Sequence, residues 1–156
     1  MAHGERTEVE VHKSISEIVG LIKKAGAQRI AQFEEPERFT VQFELADRLI
    51  KFAVRLPTIE EMPTRDGRNV MLSHQQRIAK RDQRHRQRAR ALLLVIRAKL
   101  ESVESQVETF EQAFLANIVM SDGATIYERI AEPIALEYAS GKPNALLLTG
   151  PAGSAA

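Results

Sequence analysis

Residues 39–57 read Phe39-Thr40-Val41-Gln42-Phe43-Glu44-Leu45-Ala46-Asp47-Arg48-Leu49-Ile50-Lys51-Phe52-Ala53-Val54-Arg55-Leu56-Pro57. Phe39, Val41, Phe43 and Leu45 alternate with Thr40, Gln42 and Glu44, the period of two that sends successive side chains to opposite faces of a strand. After Ala46-Asp47 the pattern resumes as Ile50, Phe52, Val54 and Leu56, with Lys51 and Arg55 facing out. Two such runs across a short polar break predict an antiparallel hairpin with one apolar face. Pro57 ends it, because proline has no N–H for the ladder. Arg29–Phe33, ahead of a turn at Glu34-Glu35-Pro36-Glu37, predicts a third strand.

A sheet with one apolar face needs a cover. Upstream, Ser14 and Glu17 have capping-box spacing, and Ile15, Ile18, Val19, Ile22 and Ala25 recur at helical intervals before Gly26. They predict a helix over 15–25. Downstream, Thr58–Leu72 reads as a loop with Pro63 and an Asp66-Gly67 turn. Ser73 and Gln76 form a second capping box, opening a stretch with no Gly or Pro until Gly123. Within it Leu93, Ile96, Leu100, Val103, Val107, Phe110 and Phe114 step by three and four, the spacing of a heptad seam.

A helix from Ser73 to Asn117 would measure roughly 65 Å at 1.5 Å per residue. That exceeds a compact domain of this size. Either it breaks near Gln87–Ala89 and the seam packs on the chain's own sheet and other helices, or it projects and finds a partner through the seam. Thr125 and Glu128 form a third capping box, starting a helix through Ile126, Ile130, Ile134 and Tyr138, with Pro133 inside and Gly141-Lys142-Pro143 as the stop.

The predicted fold class is α+β, in the order α-β-β-β-α-α. A small three-stranded antiparallel sheet is covered by an N-terminal helix and a long C-terminal helical segment. Residues 1–13 are expected as a flexible N-terminus and 14–141 as a single domain, with helix plus sheet over 14–57 and helix over 73–141. Residues 142–156 are expected as a flexible tail.

At 156 residues and 17.5 kDa the chain holds about one domain. It has no Cys, which excludes a disulfide scaffold, thiolate zinc and a cysteine nucleophile. No apolar run reaches signal-peptide or membrane-span length, and the expectation is a cytoplasmic, non-membrane protein. His3, His12, His74 and His85 form no metal-ligand spacing. Glu101, Glu104, Glu108 and Glu111 could line a metal site on a bundle face, but the partner Glu-x-x-His motif is missing. Phosphate-loop, dinucleotide-binding and nucleophile-elbow motifs are absent, so neither an enzyme nor a cofactor is expected.

Charge is the sharpest feature. The whole chain carries +1, but residues 65–99 hold eleven basic side chains against Asp66 and Asp82, a local +9. Arg77, Lys80, Arg81, Arg84 and Arg88 step by three and four, and Arg86 and Arg90 extend the run. Such a stripe can neutralise phosphates with little sequence preference. His85 would be a further phosphate contact. The other reading is a solvated face, or one paired with Glu101, Glu104, Glu108 and Glu111 of an antiparallel second copy. Phe39, Phe43 and Phe52 fall on inward strand positions, which leaves Phe33 as the one strand aromatic free to stack on a base.

The run Arg88-Ala89-Arg90-Ala91-Leu92-Leu93-Leu94-Val95-Ile96-Arg97-Ala98-Lys99-Leu100-Glu101-Ser102-Val103-Glu104-Ser105, then Thr109-Phe110-Glu111, Phe114-Leu115-Ala116-Asn117-Ile118-Val119 and Asp122-Gly123, resembles small proteins of bacteriophage and prophage genomes that have no assigned activity. The likeness extends to Lys23-Lys24-Ala25-Gly26-Ala27 and Val54-Arg55-Leu56-Pro57. It implies a setting in phage DNA replication, recombination or host takeover, and carries over no site residues.

The expected function is therefore non-enzymatic binding of nucleic acid, DNA first, through Arg77, Lys80, Arg81, Arg84, Arg86, Arg88 and Arg90. A homo-oligomer would form through Leu93, Ile96, Leu100, Val103, Val107, Phe110 and Phe114. The alternative is a protein-interaction module, an inhibitor or assembly factor, using the seam or the basic face against a protein partner.

Overall fold

The computed structural model describes residues 2–144, with side chains from Arg6 onward. Helix α1 (Ala2–Lys24) leads into three strands, β1 (Gln28–Glu35), β2 (Arg38–Leu45) and β3 (Arg48–Arg55), followed by α2 (His74–Glu104), the short α3 (Phe110–Phe114) and α4 (Ile126–Ser140). The sheet is antiparallel in the order β1-β2-β3. The fold is α+β, as the alternation and the capping boxes require.

Ala46 and Asp47 both take left-handed backbone angles, φ 51° and 58°. That two-residue geometry matches the twist of an antiparallel pair, and it sets Phe39 opposite Val54, Val41 opposite Phe52 and Phe43 opposite Ile50. The hairpin's large apolar side chains other than Leu49 thus fall on one face. Ile15, Ile18 and Ile22 of α1 and Leu92, Leu93 and Ile96 of α2 bury that face. Phe43 stacks on Phe52 at 6.3 Å, and Phe114 meets Phe52 edge-on at 6.2 Å.

The first helix starts at Ala2, so residues expected to form a flexible N-terminus are its first two turns and more. Ser14 and Glu17 lie mid-helix and cap nothing. The reason is tertiary: Thr7 is buried and Val11 packs on the core, continuing the Ile15-Ile18-Ile22 stripe one helical step at a time. The expected tail lies, from residue 145 on, outside the described residues.

Helix α2 is capped as the sequence requires, with Ser73 Oγ accepting from the Gln76 N–H at 3.1 Å and Gln76 Oε1 accepting from the Ser73 N–H at 2.8 Å. It runs unbroken through Gln87–Ala89 and ends at Glu104. Gln106 then turns left-handed at φ 59°, and the N–H groups of Val107 and Glu108 both reach Ser102 O. Thr109 caps the next helix by exchanging hydrogen bonds with Gln112. This turn folds α3 back, so that Phe110 stacks on Phe114 at 4.9 Å over the end of α2.

The heptad seam is therefore not an oligomer interface on one long helix. Leu93, Ile96 and Phe114 are buried inside this chain, and Leu100, Val103 and Phe110 pack against the same core. Val107 sits in the turn, 77 % exposed. Thr109-x-x-Gln112, a fourth capping pair, marks the break in the sequence itself.

Beyond α3 the chain borders the sheet. The Val119 N–H donates to Leu49 O at 2.8 Å and Asn117 Nδ2 to Lys51 O at 3.1 Å, which covers part of the outer edge of β3. Gly123, at φ 84°, closes the expected turn. Thr125 Oγ1 then caps α4 by accepting from the Glu128 N–H at 3.2 Å. Pro133 is accommodated inside α4, and Gly141 ends it in a left-handed conformation.

Ile96→Ala should cost about 2–5 kcal/mol, the range for emptying a fully buried aliphatic site. Val107→Ser should stay within about 0.5 kcal/mol, as for an exposed turn residue. Urea unfolding of the two variants checks both values; a continuous seam would make both costly.

Candidate nucleic-acid interface

The polar half of α2 follows the phase of its apolar half. Stepping back from Leu93 and Ala89 by three or four residues reaches Arg86, His85, Asp82, Arg81 and Arg77. These positions face the rest of the protein, and the charged side chains on them are engaged internally. The stripe through Arg77, Lys80, Arg81, Arg84 and Arg88 straddles the inner and outer faces of the helix.

The Arg77 guanidinium donates to the carbonyls of Ile59 and Met62 at 2.9 and 3.2 Å, holding the 3-10 turn Ile59–Glu61 against α2. Its Nε is buried without a hydrogen-bond partner. Arg81 gives both Nε and Nη2 to Asp82 Oδ1, at 3.2 and 2.9 Å. Arg86 donates to Thr7 Oγ1 at 2.7 Å and pairs with Glu10 at 3.1 Å, tying α2 to the first turns of α1. Arg88 donates to the carbonyl of Arg55, at the end of β3. His85 Nε2 lies 2.8 Å from Pro57 O. A carbonyl only accepts, so Nε2 carries a proton. His85 is thus a brace on the strand end and not an outward phosphate contact.

Of the seven basic residues expected at the interface, Arg77, Arg86 and Arg88 fasten α2 to other elements, and Arg81 is paired with its neighbour Asp82. Lys80, Arg84 and Arg90 remain. They make no hydrogen bond or ion pair among the described residues; Arg84 and Arg90 are exposed and Lys80 is half-buried. Gln83 and Gln87 lie between them, also exposed. Lys80, Gln83, Arg84 and Gln87 form one wall of a cleft of about 180 Å³ whose other wall is Met62-Pro63.

Neighbouring charge modifies this surface. Asp66 accepts the N–H groups of Val70 and Arg68, at 3.0 and 2.8 Å, and these bonds, Val70 first, hold its carboxyl below the ordinary carboxylate range, with the charge of Lys80 adding a little. Arg65 donates to Asn69 O at 2.9 Å and Arg68 pairs with Asp66 at 3.4 Å, so both loop arginines stabilise their own turn. Farther along, Glu61 is held below the usual range by a 2.5 Å bond from Arg55.

The acidic spacing dissolves with the long helix. Glu101 and Glu104 lie on α2, Glu108 accepts from Ser102 at 2.6 Å, and Glu111 on α3 pairs with Arg48 at 3.0 Å. They share no single face. Among the described residues no group of three or more His, Asp or Glu is placed to hold a metal. Phe39, Phe43 and Phe52 are core, and Phe33, 51 % exposed, sits opposite Thr40. That face of the sheet points away from α2, so Phe33 does not share a surface with Lys80 and Arg84.

Comparison with known proteins returns no matching family model, curated protein or solved structure. No helix among the described residues is long and apolar enough to cross a membrane.

Arg77→Ala should cost about 1.5–3 kcal/mol, the range for hydrogen bonds to a charged group. Arg84→Ala should change stability by less than about 0.5 kcal/mol. The difference is read from urea midpoints of the two variants and the parent.

Proposed function

We propose that the protein binds the phosphate backbone of nucleic acid, without catalysis and with little sequence preference, through the outer face of α2. The observation that carries this reading is the set Lys80, Arg84 and Arg90, without an ion-pair partner among the described residues and interleaved on the outer face with Gln83 and Gln87, while Asp82 is turned inward and buried. Two arginine forks and an ammonium suit phosphate oxygens, and the glutamine amides add donors along the same line. We read the setting as phage-type DNA replication or recombination on the sequence resemblance alone.

A second reading has its own support. Directly beyond Arg90 the same side of α2 exposes Leu94 and Val95, at 49 % and 45 %. Paired apolar side chains beside a cationic patch suit a protein partner with an acidic rim. The two readings differ in what salt does.

Binding of a labelled oligonucleotide should weaken with a slope of roughly 2–3 log units per log unit of salt, for three phosphates at 0.7–0.9 each. Replacing Lys80, Arg84 and Arg90 with Glu should abolish it and leave the fold intact by circular dichroism. Binding that survives the triple replacement overturns this assignment.

A further inference from the structure

On the inner side of α2, where α1 and the β1–β2 turn meet it, lies a cavity of about 390 Å³. Its floor is apolar and branched, with Ile15, Phe39, Val54 and Leu92 among its side chains. Volume and lining match the lower end of small-molecule sites, which combine an apolar body with a few placed polar groups.

Carboxylates outnumber guanidinium groups among the polar residues of the lining. Asp82 lines the cavity with its side chain only 7 % exposed, and Arg81 addresses Oδ1 alone. His85, one helical turn on, also lines it and holds Pro57 O through Nε2 at 2.8 Å. At the mouth stand Glu8, Glu34 and Glu35 against Arg38, with His12 3.7 Å from Glu34. Besides the two imidazoles, the lining holds four carboxylates and two guanidinium groups. An anion would add to that excess of negative charge, whereas a donor-rich cation relieves it.

We propose that this cavity binds a small organic cation, an ammonium or guanidinium head carried on an apolar body. The body lies on Ile15, Phe39 and Leu92, and the head meets the carboxylates of Asp82 and the mouth. The site faces away from Lys80 and Arg84, and its occupancy is independent of nucleic-acid binding.

The test titrates the full chain with 2-phenylethylammonium, 3-phenylpropionate and 2-phenylethanol, following methyl NMR signals. The ammonium should bind saturably and move the methyls of Ile15, Val54 and Leu92, and the carboxylate should not bind. Glu34→Gln/Glu35→Gln, both exposed and outside the core, should weaken the ammonium by about threefold to tenfold. Ala89→Leu, which fills the floor, should remove it. If that variant misfolds, the mouth variant decides alone. No saturable shift of those methyls, equal or tighter binding of 3-phenylpropionate, or an ammonium affinity unmoved by the mouth variant would overturn the assignment.

Discussion

The structure depends on how α2 is held along its length. A helix of 31 residues is about 47 Å long at 1.5 Å per residue, longer than the sheet it covers. Its C-terminal half is held by apolar burial, through Leu92, Leu93 and Ile96. Its N-terminal half has too few apolar residues for that. Arg77, Arg86, Arg88 and His85 hold it instead, by hydrogen bonds to a carbonyl or hydroxyl on the 3-10 turn, α1, the end of β3 and the strand exit. Four of the connections that fix the fold are thus cationic or imidazole side chains on backbone or hydroxyl oxygen. The bonds of Arg77, Arg86 and His85 are partly buried, where an oxygen without a partner would be costly.

This arrangement changes what the local charge means. A +9 segment suggests a broad polyanion surface, but much of that charge is spent inside the molecule. What reaches solvent on the outer face is a short row, Lys80, Arg84 and Arg90, with uncharged Gln83 and Gln87 between. The opposite face of the same helix borders a cavity whose carboxylates outnumber its guanidinium groups. The two sides of one helix thus carry different charge patterns. The small net charge of the chain conceals this polarity.

The hairpin was legible in the sequence because its period of two runs unbroken on both sides of Ala46-Asp47. The caps of α2 and α4 were legible for a similar reason: hydroxyl and carboxamide or carboxylate three residues apart leave a local mark. Two features were harder to read. Thr7 and Val11 give the start of α1 little apolar signal, because its anchor is the Arg86 side chain from 79 residues away. The end of α2 lacks Gly and Pro, since Gln106 takes the left-handed angle that glycine more often supplies. The seam residues other than Val107 were identified correctly as apolar neighbours, and of the two partners the spacing allowed it is the chain's own core that they meet. On the basic helix, spacing alone could not choose between Arg81 and Lys80. Carrying the phase of Leu93 and Ala89 backward through the polar half separates them.

The division of α2 into a fastened face and a free face is tested most directly by hydrogen exchange at the arginine side chains. In ¹⁵N NMR spectra of the parent protein, the Nε–H signals of Arg81 and Arg86, which bond to Asp82 and Glu10, should exchange slowly, with Arg77 Nε–H protected by burial. Those of Arg84 and Arg90 should exchange at the rate of a free arginine. Equal, fast exchange at all five would contradict the account, because the charges of α2 would then all be solvated and the helix would be held in some other way.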